Sequence, residues 1–162
     1  NAAGYNRDDF GIWQPHGACS TREAILESQA SDPLHDCHAR SGTVYDPYSG
    51  TTIPATSPIE IDHIFPLSAA WDMGAYAWPQ DKRLAFANDP LNLVVTSSRA
   101  NQAKSDSLPS EWMPPARRNR CDYSRRLAAV ASKYQLAIPR EDRRVMRRSC
   151  AGVAGLTSAR IW

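Results

Sequence analysis

The segment Ile-Glu-Ile-Asp-His-Ile at positions 59–64 constrains the fold more than any other part of the chain. Its alternation places isoleucines on one face and Glu60 and Asp62 on the other, which is typical of a half-buried β-strand. A proline ends this strand, and a second apolar strand is predicted at 93–96. A serine then caps a predicted helix over 98–104. The order strand, strand, helix predicts an α+β fold with this unit, residues 58–106, at its centre.

Further helices and one hairpin are predicted around this unit. Ser20 and Glu23 have the spacing of a capping box, which predicts a helix over residues 21–31. Residues 67–90 are typical of alternating helix and loop, with Trp71 and Trp78 packed on the core. The remaining predicted elements are a hairpin of strands 43–45 and 51–53 with a turn of about five residues, and two helices over 122–134 and 139–149.

A length of 162 residues fits one domain over 1–162, in which residues 1–18 form an ordered but irregular arm. No stretch approaches the ~20 apolar residues that a membrane span needs. No basic start is followed by an apolar run, so the sequence itself predicts no signal peptide. We therefore expect a mature form from which an export signal has been removed, with no membrane partner.

The four cysteines are widely spaced, and none belongs to a C-x-x-C pair that would indicate a zinc site. An even number of such cysteines is typical of an oxidising, extracellular compartment. Three pairings are possible; we favour Cys19–Cys37 and Cys121–Cys150, because each would bracket a local helical unit. The second pair would staple a C-terminal helical hairpin. Four buried free thiols in a cytosolic protein are the alternative.

Charge is distributed unevenly behind a net charge of +2. Residues 1–116 contain seven Lys and Arg against fourteen Asp and Glu, whereas residues 117–162 contain twelve against three. The basic helical part, residues 117–150, would attract polyanions and make their binding depend on salt. Arg117 and Arg118 are its first candidates for substrate contact. A solvated helical face is the alternative explanation of the same charges.

Three residues of the central unit have the chemistry that phosphodiester hydrolysis requires. A neutral histidine, His63, can deprotonate water near pH 7. The Asp62 carboxylate and the Asn101 side-chain carbonyl are hard oxygen ligands that suit Mg²⁺, with Mn²⁺ or Ca²⁺ as alternatives. Neighbouring residues on an ideal strand point to opposite sides, so Asp62 and His63 can share a site only where the strand ends or bulges.

Supporting roles are predicted for nearby polar residues. Asn92 could bond across the loop and fix the backbone at His63, and Lys104, one helical turn after Asn101, could contact a phosphate oxygen. Arg22 and Arg99 are further candidates for charge stabilisation. Taken singly, each of these residues has a simpler explanation as a turn former or a solvated side chain.

The same residues resemble a known family. The runs at 59–66, 88–94 and 101–106 are similar to the HNH superfamily of ββα-metal endonucleases, with asparagine at the third position. Tyr5-Asn6-Arg7, residues 21–23 and residues 46–50 extend the likeness to secreted bacterial HNH nucleases. Those proteins are related to the C-terminal nuclease module of modification-dependent restriction enzymes. Further matching positions are Trp71, Gly74-Ala75, Arg83, 86–89, 112–115 and Arg120-Cys121.

The resemblance implies a role for each matching residue. His63 would be the general base, Asp62 and Asn101 the metal ligands, and Asn92 the residue that holds the catalytic loop. Lys104 would lie close to the metal. The resemblance also implies a ββα-metal core and a 5′-phosphate product.

The leading hypothesis is therefore a secreted, metal-dependent endonuclease that cuts DNA, with RNA as an alternative substrate, and with little sequence preference. A small domain with no reader module would contact mainly phosphates, and we expect a monomer. Two alternatives stay open, a non-catalytic extracellular polyanion-binding protein and a nuclease toxin domain. The joint presence of Asp62, His63 and Asn101 argues against a protein that has lost catalysis.

Overall fold

The computed structural model of the chain describes residues 3–31, 37 and 41–151. The first two residues and the last eleven of the predicted domain lie outside the described residues. The described part is a mixed α and β fold whose strands form three separate two-stranded antiparallel sheets. The strands are β1 (Pro15–His16), β2 (Cys19–Ser20), β3 (Thr43–Asp46), β4 (Thr51–Pro54), β5 (Ile59–His63) and β6 (Leu93–Ser97).

Six α-helices accompany these strands in the described residues, together with short 3₁₀ turns such as Arg7–Phe10 and Arg117–Asn119. None of the described helices is long and apolar enough to cross a membrane. The helices are α1 (Thr21–Gln29), α2 (Leu67–Asp72), α3 (Gln80–Ala87), α4 (Ser98–Lys104), α5 (Arg120–Tyr134) and α6 (Arg140–Ser149).

Local sequence rules account for most of these elements. The capping box is confirmed at α1, where the Glu23 amide donates to Ser20 Oγ and the Ser20 amide donates to the Glu23 carboxylate. Helix α1 ends at Gln29, two residues earlier than predicted. The strands β3 and β4 pair over four residues each, so four residues connect them rather than about five.

The central unit forms as predicted. Strands β5 and β6 pair antiparallel over five residues, with Asp62 opposite Val94 and His63 opposite Leu93. Strand β6 leads directly into α4, and Ser97 caps this helix by accepting a hydrogen bond from the Ala100 amide. Helix α4 therefore lies against the face of the hairpin that presents Glu60 and Asp62.

Two apolar clusters enclose this unit. The smaller joins Ile25 of α1 to Val44 and to the Leu93 face of the β5–β6 hairpin. The larger contains the arm residue Phe10, Trp71, the buried face of α5 and Met146 of α6, with Trp78 packed against it. Trp71 and Trp78 thus pack on the core, as the sequence predicts.

Both favoured disulfides are present, Cys19–Cys37 and Cys121–Cys150. The second joins the first turn of α5 to the residue after α6 and so closes a helical hairpin. Helix α5 begins at Arg120, two residues earlier than predicted, so Cys121 lies inside the helix rather than before it. A cross-link of this kind stabilises the fold mainly by restricting the unfolded chain.

Candidate active site

Asp62 is the buried acid of the central unit, and it forms an ion pair with Lys104. Lys104 Nζ lies 2.9 Å from Asp62 Oδ2, and the lysine side chain is completely buried. The Tyr48 hydroxyl donates to the same carboxylate oxygen at 2.5 Å. Burial raises the pKa of Asp62, and it outweighs the opposite effects of Lys104 and Tyr48. The Tyr48 hydroxyl and the Lys104 ammonium thus hold the carboxylate in place, and the His63 backbone amide adds a third donor.

Lys104 also connects the helix to the end of β5. Its ammonium group donates to the His63 backbone carbonyl at 2.9 Å, in addition to its pairing with Asp62. A buried lysine in two such contacts fixes the position of α4 relative to the strand. In the structure Lys104 is therefore a buried structural contact and does not line the cleft that contains Asp62.

His63 has a defined tautomer because one of its ring nitrogens meets a backbone carbonyl. Nε2 lies 2.8 Å from the carbonyl oxygen of Ala87 at the end of α3. Since a carbonyl oxygen only accepts, Nε2 must donate its hydrogen, which leaves Nδ1 with a free lone pair. The Trp13 ring stacks on the imidazole with a centroid separation of 5.7 Å and an interplanar angle of 2°.

Burial lowers the pKa of His63 to about 4, and the positive charges of Arg7 and Lys104 act in the same direction. The Ala87 carbonyl opposes this shift without cancelling it. At pH 7 the imidazole is consequently neutral. A neutral ring with one lone pair available is the form that a general base requires.

Asn92 holds the turn that follows β5. Its side-chain Oδ1 accepts from the Phe65 amide at 2.7 Å, and its Nδ2 donates to the Phe65 carbonyl at 3.1 Å. Its backbone carbonyl accepts from the Ile64 amide at 2.9 Å. These contacts continue the pairing of the two strands past His63. Asn92, which makes them, is completely buried. The turn is fixed at the point where β5 ends.

Asn101 has a different partner from the one the sequence suggests. Its Nδ2 donates to Glu60 Oε2 at 2.7 Å, one helical turn from the contact between Lys104 and Asp62. Glu60 and Asp62 lie on one face of β5, so α4 is joined to that face at two successive positions. The Asn101 Oδ1 atom accepts no hydrogen bond from the part of the chain that the structure describes.

A cleft of about 300 Å³ opens beside Asp62 and His63. Both side chains reach it because β5 ends at His63, which satisfies the condition that the sequence sets for a shared site. The other lining residues come from the start of α2, from the segment after α4 and from the arm: Tyr5, Arg7, Pro66, Leu67, Ser68, Ser105 and Asp106.

Sequence reasoning gave no role to the arm, yet three arm residues build this part of the molecule. Tyr5 and Arg7 line the cleft, and Trp13 covers the His63 ring. The only signal was that Tyr5 and Arg7 stand in a run that resembles the secreted nucleases. No periodicity in residues 1–18 indicates which of them reach the site.

The four arginines predicted to contact substrate lie outside this cleft. Arg22 is half-buried on α1, and Arg99 is exposed on α4. Arg117 and Arg118 are exposed in the turn before α5, where Arg118 donates to the Gly50 carbonyl. Further exposed cations lie on α6: Arg140, Arg143, Arg144, Arg147 and Arg148.

Comparison with known proteins identifies the family to which the chain belongs. Residues 21–149 match the family of GmrSD restriction endonuclease C-terminal domains, and the chain belongs to that family. It is also 41% identical over 140 residues to an uncharacterized secreted protein of the fungus Arthroderma benhamiae. That match covers 83% of this chain and 69% of the relative. No solved structure matches the chain.

The family points to a nuclease, which is the class that the sequence suggested. The relative is fungal, whereas the resemblance seen in the sequence was to secreted bacterial nucleases. The arm, residues 3–18, lies outside the matched segment.

Proposed function

We propose that the protein is a secreted, metal-dependent endonuclease of the HNH type, which hydrolyses phosphodiester bonds of DNA, and of RNA where it is accessible, leaving 5′-phosphate ends. The observation that carries this proposal is the state of His63. Its Nε2–H is committed to the Ala87 carbonyl, so Nδ1 is left to accept a proton beside the buried Asp62 carboxylate. Membership of an endonuclease family supports the same conclusion.

In this proposal His63 Nδ1 takes a proton from the water that attacks the phosphorus atom. The Ala87 carbonyl then stabilises the imidazolium that forms, because it accepts a hydrogen bond from Nε2 in both protonation states. Trp13 and the turn held by Asn92 keep the ring in position. A fixed base avoids the entropic cost of orienting the ring in the transition state.

The site would bind one hard divalent cation, Mg²⁺ or one of its substitutes Mn²⁺ and Ca²⁺, because the Asp62 carboxylate that lines the cleft is a hard oxygen ligand. The described residues contain no group of three or more His, Cys, Asp and Glu that could hold a metal. Asp62 and the side-chain carbonyl of Asn101, which accepts no hydrogen bond within the described residues, would be its protein ligands. Bound there, the cation would neutralise charge on the phosphate and stabilise the departing alkoxide.

Little sequence preference is expected from this surface. Contacts to phosphates position a protein on nucleic acid without reading bases, and the exposed arginines of α6 offer such contacts. Secretion is supported by the two disulfides and by the name of the fungal relative. We propose that the protein acts as a monomer.

His63→Ala tests the proposal. We expect plasmid cleavage in Mg²⁺ to fall by ~10²–10⁴, the range that a general base contributes. Cleavage by the wild-type protein should also stop in EDTA. His16→Ala is the matched control, since His16 is an exposed histidine on β1.

Gel assays of supercoiled plasmid, with 5′-end analysis of the products, make the measurement. If His63→Ala cuts at the wild-type rate, His63 is not the base. Wild-type protein that only retards plasmid in Mg²⁺ would instead indicate a polyanion-binding protein.

A further inference from the structure

The arm contributes a cation to the cleft that neither the family match nor the proposed chemistry accounts for. Arg7 is the one basic side chain among the described residues that line the cleft with Asp62 and His63. It lies in the 3₁₀ turn Arg7–Phe10, outside the segment that matches the family. A charged group at this place therefore needs an explanation of its own.

The hydrogen-bonding capacity of Arg7 is largely unused. One Nη1 hydrogen is donated to the Gly11 carbonyl at 2.9 Å. A guanidinium has five N–H groups, so four of them make no hydrogen bond to the residues that the structure describes. Within the described residues Arg7 has no carboxylate partner at ion-pair distance. Of the two acids that line the cleft, Asp62 pairs with Lys104 and Asp106 accepts a hydrogen bond from Ser68 Oγ.

The arm holds this guanidinium in a fixed place. Phe10, in the same turn, is completely buried among Trp71 and Phe86. Arg83 Nε donates to the Asp9 carbonyl at 2.9 Å, which anchors the turn to α3. The guanidinium carbon lies 6.0 Å from the centre of the Trp13 ring, and the same ring stacks on His63. A cation held in this way loses little freedom when it binds an anion.

We infer that Arg7 binds a phosphate of the nucleic-acid substrate in the cleft. Its remaining N–H groups donate hydrogen bonds to two phosphate oxygens beside His63. The inference rests on the proposed function. It assigns the recognition of the reacting phosphate to the arm rather than to Arg22, Arg99, Arg117 or Arg118. A planar guanidinium forms two parallel hydrogen bonds to a phosphate, which a lysine cannot do.

Three variants test the role of Arg7 in cleavage. Arg7→Ala should slow plasmid cleavage on the order of 10²-fold, as for the loss of one donor to developing charge. Arg7→Lys keeps the charge and should recover only part of that loss. Lys82→Ala is the matched control: Lys82 is also half-buried and also lies over a tryptophan ring, Trp78, but outside the cleft.

Binding without cleavage provides the second measurement. In the His63→Ala background and in EDTA, the Kd for a short DNA duplex is measured over a series of salt concentrations. Removing one phosphate contact should reduce the slope of log K against log salt by about 0.9. Arg7→Ala should show this change and Lys82→Ala should not.

The outcomes separate the two proposals. If the wild-type protein cuts, His63→Ala does not, and Arg7→Ala matches Lys82→Ala in rate and slope, the role of Arg7 is wrong and the nuclease remains. If the wild-type protein does not cut but Arg7→Ala still lowers the slope, the nuclease is wrong and the phosphate site stands. If Arg7→Ala melts below the assay temperature, Arg7→Lys decides: an unchanged rate and unchanged binding would overturn the inference.

Discussion

Two buried aspartates, Asp46 and Asp62, both accept hydrogen bonds from Tyr48. One of them stabilises the fold, and the other lines the candidate site. Asp46, at the end of β3, accepts from the Tyr48 amide at 2.9 Å. Asp62, at the end of β5, accepts from the Tyr48 hydroxyl at 2.5 Å. Asp46 is completely buried, and the exposed fraction of Asp62 is only 7%. Burial alone therefore does not distinguish them.

The number of donors distinguishes them instead. Burial would raise the pKa of Asp46, but hydrogen bonds from Thr96, Ser49 and two backbone amides together lower it. Burial raises the pKa of Asp62, and its fewer donors, Lys104, Tyr48 and the His63 amide, do not offset that effect. A saturated carboxylate belongs to the architecture, whereas an undersatisfied one beside a cleft retains the capacity to bind a cation.

The largest expected effect is on cleavage. Asp62→Asn should slow plasmid cutting on the order of 10³-fold, because about 4 kcal/mol of charge stabilisation would be lost with the ligand. Asp46→Asn should stay within about tenfold of the wild-type rate at a temperature well below its Tm. Initial rates of cleavage for the two variants, measured side by side, make the comparison. Equal losses in both would show that Asp62 is also only an architectural residue.

The ion pair between Asp62 and Lys104 gives the next effect, on stability. Lys104→Met should lower the free energy of unfolding by ~3–5 kcal/mol, since it leaves a buried carboxylate without its counter-charge. The double variant with Asp62→Asn should lose clearly less than the sum of the two single losses. Urea unfolding of all four proteins measures this coupling. If the two losses in unfolding free energy simply add, the Asp62 and Lys104 side chains do not stabilise each other.

The smallest effect concerns the acid stability that Asp46 provides. Its pKa is lowered on folding, so its carboxylate stabilises the protein above the ordinary value near 3.8, and this contribution disappears as pH falls through the lower folded value. Asp46→Asn should cost ~1–3 kcal/mol at pH 7. The difference from wild type should shrink below about pH 4. Urea unfolding between pH 3 and 7 tests this; a difference that is constant with pH would exclude the carboxylate charge as its source.

The central unit was predictable because its rules are local. Alternation placed Glu60 and Asp62 on one face of β5, and a serine cap started α4 one residue after β6. The i, i+3 spacing of Asn101 and Lys104 on one helix face then fixed which residues could meet that strand. Residue pattern and short-range spacing sufficed for this part of the site.

The hydrogen-bond partners of the site residues were not predictable. They depend on how far α4 lies along β5 and on segments that are distant in the sequence. Asn101 pairs with Glu60 rather than with Asp62 because of the position of α4 along β5, which the sequence does not specify. Tyr48 reaches Asp62 from a turn that the sequence identifies only as a turn. The arm lacks any period, and its position depends on contacts such as that between Gln14 and Asn88, 74 residues apart.

The anchoring of the arm makes the cleft sensitive to proteolysis at one exposed point. Gly17 is the exposed tip between β1 and β2, and such tips are preferred sites of nicking. A cut there would sever the peptide that bears Arg7 and Trp13, while the disulfide at Cys19 would retain only the other side of the break. The severed peptide would then be held by the packing of Tyr5, Phe10 and Trp13 and by a few hydrogen bonds, with no covalent link. Its dissociation would uncover the His63 ring without altering any residue of the matched domain.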